Sequence, residues 1–332
     1  MRTLYVTDAG SHIQKNAGRF LVCKGDTILR EIPLELLDNV VLFGSIQVSA
    51  KTITEFLKRG ITLTWLSKTG EFYGRLESTR HIDIFLHRQQ IRMGDRPDFC
   101  LKIAQAIIDA KIANCMTILR RYQRTANSPE VADHIHAMGI IAEKIPNVDK
   151  IETLLGLEGS AARHYFTALA CLVPDDFAFK GRNKQPPKDP FNSLLSFGYT
   201  LLMYDFYTIV QNAGLHPYAG FLHKDRQGHP TLVSDLMEEW RPSIIDSLVM
   251  SLIHRREIQP LDFLPPDKNG GVYLNREASA EFIAAYEKRM TRLNKYGGKE
   301  LTFRQLLARQ AKLLSQAIEN EDPDIYQPIY IR

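Results

Sequence analysis

The chain has 332 residues, 44% hydrophobic and 24% charged, with 42 Lys and Arg against 38 Asp and Glu for a net charge of +4. That length accommodates two domains and a sizeable core, and the composition excludes a largely disordered chain. The start MRTLYVTDAG has no apolar leader segment and no later run is long enough to span a bilayer, so a cytoplasmic protein with no membrane association is expected.

Residues 1–83 read as a small β-domain. Stretches rich in β-branched, aromatic and aliphatic residues predict strands at 3–7, 19–24, 27–31, 39–43, 62–66 and 72–76, with Gly25-Asp26 and Thr69-Gly70 as turns. One helix, 50–59, interrupts the run and stops at Gly60. From Ile84 the apolar period changes from two to about 3.6, which makes residues 80–83 the hinge and 84–332 a larger all-α domain. The fold class expected is therefore α+β. Cys23, Cys100, Cys115 and Cys171 are scattered without a C-x-x-C pair and read as reduced core residues.

In the second domain the spacing predicts a helix over 97–122, with Leu101, Ala104, Ile108, Ile112 and Leu119 buried, and another over 131–144. His134 and His136, two apart, face different sides of that helix and are expected at the surface. A third helix covers 151–173, and Glu158 sits within its apolar pattern. Tyr165, seven residues on, shares the Glu158 face and is either a substrate contact or a core tyrosine with a satisfied hydroxyl. The loop 179–188, FKGRNKQPPK, is expected to be extended, mobile and positive: a DNA-contacting loop or a solvated linker.

Asp189 before Pro190 is a strong helix start, and that helix runs to Gly214. A further helix spans 242–255, where Asp246 either supports the site from behind its ligands or, more simply, is an acid favoured by the helix dipole. A short strand at 271–274 and helices over 277–293 and 302–320 complete the domain, and the tail 321–332 is either disordered or a docking strand.

The segment GFLHKDRQGHPTLVSDLMEEWRP, residues 220–242, carries the chemistry. On a helix Glu238 and Glu239 follow Asp235 by three and four residues and flank its face. Such crowded acids repel one another unless something positive lies between them, and a divalent cation is the natural candidate. If this helix meets the one carrying Glu158, then Glu158, His223 and Glu238 form a site of two carboxylates and one imidazole, suited to Mg²⁺ or Mn²⁺. His216 reads as structural and His229 as a polar turn residue.

Four motifs in order, LLGLEGSAARHYF around Glu158, PPKDPFNSLLSFGYTLL, GLHPYAGFLH ending at His223 and DLMEEWRP, resemble the CRISPR-associated protein one family. With the β-domain, the resemblance covers nearly the whole chain. It implies an integrase of spacer acquisition whose metal ligands are Glu158, His223 and Glu238, with Asp235 as a supporting carboxylate. It also implies a homodimer formed through the β-domain and a small partner, the CRISPR-associated protein two. The family pattern puts Asn192 near the active site, while the residues alone allow an amide closing a helix contact.

Basic residues fall in clusters, each of which alone reads as a solvated face. Together with a carboxylate metal site they suit a polyanion such as double-stranded DNA, with Arg163, Arg182, Lys184, Lys188 and Arg241 as candidate contacts. The expected reaction is metal-dependent phosphoryl transfer on DNA, giving endonuclease cleavage with water as nucleophile and strand transfer with a 3′-hydroxyl. Two alternatives are a structure-specific nuclease on branched repair DNA and a non-catalytic helical DNA-binding scaffold whose acids pair with Arg163 or Arg241.

Overall fold

The structure is a computed structural model that describes residues 3–79, 82–184 and 186–331. The chain divides into two compact units, Met1–Ile82 and Asp83–Arg332. Of the expected hinge, Arg80 and His81 lie outside the described residues.

The first unit has two four-stranded sheets built from β1 (Thr3–Val6), β2 (His12–Asn16), β3 (Arg19–Lys24), β4 (Thr27–Pro33), β5 (Asn39–Phe43), β6 (Gln47–Val48), β7 (Thr62–Leu66) and β8 (Phe72–Leu76). One sheet has the order β1-β5-β7-β8, its first three strands parallel, and the other β4-β3-β2-β6. A parallel strand needs cover on both faces, and every residue of β5, NVVLF, is buried. Helix α1 (Ala50–Arg59) is started by the Ser49 hydroxyl, which accepts from the Thr52 N–H, and stopped by Gly60 at φ 73°. Its Phe56 packs tilted against Phe20, ring centres 4.7 Å apart, inside the shared core. Strands β2 and β6 escape the sequence reading because HIQKN is mostly polar and β6 is two residues long.

The second unit is organised around the 30-residue α3 (Pro97–Ala126), which follows α2 (Ile84–Gly94) and buries Ala104, Ile108, Ile112 and Leu119 as expected, while Leu101 is half-buried. Helices α4 (Pro129–Ala142) and α5 (Ile151–Ala170) pack on it, followed by α6 (Pro190–Asn212), the short α7 (Thr231–Met237) and α8 (Ser247–His254). Residues Arg241–Asp246 form a π-helical turn where a plain α-helix is expected. Helix α9 (Arg276–Thr291) and helix α10 (Phe303–Glu319) are joined by a hairpin of β9 (Leu293–Tyr296) and β10 (Lys299–Thr302). The domain is therefore not all-α. The signal was present: Gly297 and Gly298, both at positive φ, form a two-residue turn of the kind that closes hairpins. The strand expected at 271–274 is an extended segment with a single bridge, Phe263 to Leu274.

Two buried polar networks fasten the late helices. Asp205 of α6 accepts from Tyr286 of α9 at 2.7 Å and from Arg304 of α10 at 3.0 Å, and Arg304 also pairs with Glu287. The described part of the tail, residues 321–331, docks on the protein itself. Tyr326 and Ile329 are buried, and the Asn114 side chain of α3 donates to the Ile329 carbonyl at 3.0 Å and accepts from the Ile331 N–H at 2.8 Å. Glu239, expected beside Asp235 at a metal, faces this tail and accepts from Tyr326 at 3.2 Å and Trp240 at 3.0 Å.

Removing Asp205 leaves a buried guanidinium with one partner fewer. Asp205→Ala should cost about 3–5 kcal/mol in urea unfolding, against about 1 kcal/mol for Tyr286→Phe. Burial pushes the Glu239 carboxyl up from 4.5 to about 8, against the hydrogen bonds from Tyr326, Ile329 and Trp240. The folded state thus holds a proton that the unfolded chain has released. Stability fully present below about 4.5 is lost as the pH rises toward about 8. Glu239→Gln should flatten that slope in melting temperatures recorded across the same window; an unchanged slope would assign it to other groups.

Candidate active site

The site begins with Asp235, which α7 carries into the core. Its carboxylate accepts the backbone N–H groups of Phe221 at 2.7 Å, Leu222 at 3.0 Å and His223 at 3.2 Å, and the Nδ1–H of His223 at 2.7 Å. A carboxylate is a pure acceptor, so Nδ1 carries a proton, and in the neutral ring the lone pair is on Nε2. This bond, opposed by burial, raises the His223 pKa above its ordinary value. Gly220 makes the arrangement possible, because a Cβ there would stand 2.6 Å from Asp235 Oδ2 and from the Thr231 methyl.

The helix ends at Met237, and the turn that follows sends successive acids to opposite sides. Glu239 goes to the tail; Glu238 goes to a cavity of about 190 Å³. Lys111 of α3 places its ammonium 2.6 Å from Glu238 Oε2 and pairs also with Glu158 of α5. Arg241 takes the other oxygen of Glu238 at 2.5 Å. Burial works against the charged form of Glu238, but Arg241 and Lys111 outweigh it and hold the carboxyl at about 2.

The opposite wall is aromatic and cationic. Asp246 accepts from Tyr199 at 2.6 Å and Tyr165 at 2.8 Å; burial nevertheless pushes its carboxyl up to about 6. In a π-helical turn the hydrogen bonds reach five residues back and each turn holds more than 3.6 residues, so residues five apart lie nearer one face. That geometry lets Arg241 and Asp246 both line the cavity. The guanidiniums of Arg182 and Arg241 stand 5.4 and 5.3 Å from the Tyr199 ring centre.

Of the residues singled out in the sequence, Glu158, His223, Glu238, Tyr165, Arg182, Lys184 and Arg241 line this one cavity. Asp235 lies behind His223. Asn192 is fully buried and holds the loop: it accepts from Arg182 at 2.8 Å and the Asn183 N–H at 3.1 Å, and donates to Asp189 at 2.7 Å. The described part of the loop 179–188 is anchored accordingly, with Phe179 buried, and is not a free linker. Arg163 and Lys188 are exposed and do not line the cavity.

Elsewhere, His216 is held by Gln90, and His229 accepts from or donates to Ser234 at 3.0 Å. His134 is not a plain surface residue, since its Nδ1 lies 2.9 Å from that of His164. Cys171 is exposed, unlike the other cysteines. The sequence reading missed Lys111, Tyr199 as a wall residue, and the full role of Asp246. Lys111 carried a signal, a lone cation one residue before the buried Ile112.

The donor set, two carboxylate oxygens and one imidazole nitrogen around a confined space, fits a hard divalent ion, and the ammonium of Lys111 already stands between the carboxylates as a cation. Among the described residues no group of three or more His, Cys, Asp or Glu is gathered tightly enough to chelate an ion with the side chains as they stand.

A family model described as CRISPR associated protein Cas1 matches residues 4–288. A CRISPR-associated endonuclease Cas1 of Mycobacterium tuberculosis is 35% identical over 326 residues, covering 97% of this chain and 96% of the relative. Another, from Chlorobaculum tepidum, is 34% identical over 343 residues, covering 100% and 99%. Among solved structures, a chain of a Cas6-RT-Cas1–Cas2 complex superposes with a TM-score of 0.85 at 28% identity, over 100% of this chain and 36% of that one. A casposase bound to integration product has a TM-score of 0.84 at 20% identity, over 97% and 92%, and so shares the fold. The chain belongs to the CRISPR-associated protein Cas1 family.

Proposed function

We propose that this chain is the integrase of CRISPR adaptation, which joins short duplex DNA into a repeat array by 3′-hydroxyl attack, with Mg²⁺ or Mn²⁺ held by Glu158, His223 and Glu238. The observation that carries the reading is the convergence of those three side chains, from three separate stretches of chain, on one cavity edged by Arg182, Lys184 and Arg241. The curated relatives are named as CRISPR-associated endonucleases, which supports nuclease chemistry on DNA.

In strand transfer the donor 3′ oxygen bonds the target phosphorus as the bond to the target's own 3′ oxygen breaks, so phosphodiesters are conserved. A bound divalent ion supplies polarisation of the scissile phosphate. The chain's own residues do the rest. Glu158 and Glu238 present hard oxygens, and Asp235, by accepting a hydrogen bond from Nδ1–H, leaves Nε2 of the neutral His223 ring as the nitrogen that would hold the ion. Arg182, Lys184 and Arg241 hold the phosphate, Asn192 keeps Arg182 in position, and Tyr165 and Tyr199 wall off water.

By likeness to complexes that contain Cas1 and Cas2, the partner is the CRISPR-associated protein two. The first unit, with Ile28, Leu29, Phe72 and Tyr73 exposed on its edge strands, is the dimerisation surface, and the second is the catalytic, DNA-binding domain. One observation favours the scaffold alternative: Glu238 does pair with Arg241, and Glu158 with Lys111.

The experiment is strand transfer of a short duplex with free 3′ ends into a supercoiled repeat plasmid, with the partner present. Glu158→Ala and His223→Ala should each lower the rate by at least about 10²–10³-fold while keeping wild-type circular dichroism. Variants as active as wild type would overturn the site; nicking of branched DNA without integration would favour the repair nuclease; DNA binding without any turnover would favour the scaffold. Asp235→Asn, which removes the acceptor charge behind His223, should lower activity by about 10–100-fold with metal affinity falling in parallel.

A further inference from the structure

The metal-site reading gives no role to Lys111, a charged residue lining the cavity. Lys111 rises from α3, and its ammonium lies between Glu158 and Glu238, on the oxygens that a divalent ion would take. The side chain is only 15% exposed, and its partners Glu158 and Glu238 are 22% and 6% exposed, so the three charges are largely withdrawn from water. A buried carboxylate stays charged only with a partner, and Glu158 and Glu238 sit on separate elements that would repel each other without one.

An ammonium and a divalent ion cannot share this space. Both need the same lone pairs, and two cations at contact distance inside a protein repel strongly. Lysine suits a counter-ion that must move, because its charge is a compact group on a flexible four-carbon stem. Arg241 differs: it holds the far oxygen of Glu238 and its guanidinium lies over Tyr199, so it can remain when the near oxygen changes partner.

We infer that Lys111 is an internal counter-cation that holds Glu158 and Glu238 together in the metal-free protein and must be displaced when a divalent ion enters. The inference rests on the metal-site reading and adds a competitor to it. It makes metal affinity a compromise between a preassembled pair of carboxylates and the loss of a charge-assisted contact to each. Lys111 is thus a positioning residue for the ligands and sets the concentration at which the site fills.

The test is Mn²⁺ titration of the full chain without DNA, with free Mn²⁺ read by electron paramagnetic resonance, for wild type, Lys111→Met, Lys111→Arg and Glu158→Ala. Lys111→Met should bind about 10–100-fold more tightly than wild type, Lys111→Arg no more tightly, and Glu158→Ala more weakly. In chelator Lys111→Met should melt below wild type, and Mn²⁺ should raise its melting temperature by more. Equal affinity of wild type and Lys111→Met, with Glu158→Ala still weaker, overturns the counter-cation and leaves the metal site standing. Affinity unaffected by Glu158→Ala overturns both. Should Lys111→Met be unfolded in chelator, refolding on Mn²⁺ addition supports the competition, and failure to refold overturns it.

Discussion

The Asp235 carboxylate is the constraint on which the site depends. It is fully buried, and it is tolerated there because three consecutive backbone N–H groups and an imidazole point at it. The same bonds fold residues 221–223 around the carboxylate and fix the His223 tautomer. Since Asp235 lies one turn before Glu238, anchoring it also sets where the next carboxylate leaves the helix. Gly220 is part of the constraint, because no side chain fits where the chain passes the carboxylate.

Around that anchor the protein separates two neighbouring acids into different electrostatic worlds. Glu238 faces Lys111 and Arg241 and is held ionised, whereas Glu239 faces only neutral donors on Trp240, Tyr326 and the tail backbone and is held protonated. One acid is available for chemistry and the other closes the structure. Successive residues on a helical path already point about 100° apart, and the backbone at Glu238, φ −57° and ψ −43°, stays helical. Asp246 is intermediate, a buried carboxyl between two tyrosine hydroxyls with two guanidiniums nearby.

Arg182, on the cationic side of the cavity, is also held in place rather than borrowed from a mobile surface. Arg182 belongs to a loop that looks like a linker in sequence, yet the fully buried Asn192 at the start of α6 ties it down and Tyr199 backs its guanidinium. A charge held in this way loses little further freedom when it meets a phosphate, which is the physical advantage of preorganisation. Exposed Arg163 and Lys188 have no such support.

The sequence by itself determined the change from β to helical periodicity near residue 84 and most strand and helix positions, and it singled out Glu158, His223, Glu238 and Asp235, which the fold gathers at one cavity. Those are local properties: side-chain period, a Ser49 cap, a Gly60 stop, an Asp189-Pro190 start, acids on an apolar stretch. Only the tertiary structure decided which polar groups meet. Lys111 lies 47 residues from Glu158, Glu239 lies 87 from Tyr326 and Asp205 lies 99 from Arg304, and no helical or strand period carries information over such separations. The two-residue strand β6, the π-helical turn and the docked tail belong to the same class, because each has partners distant in the chain that outweigh its own local preference.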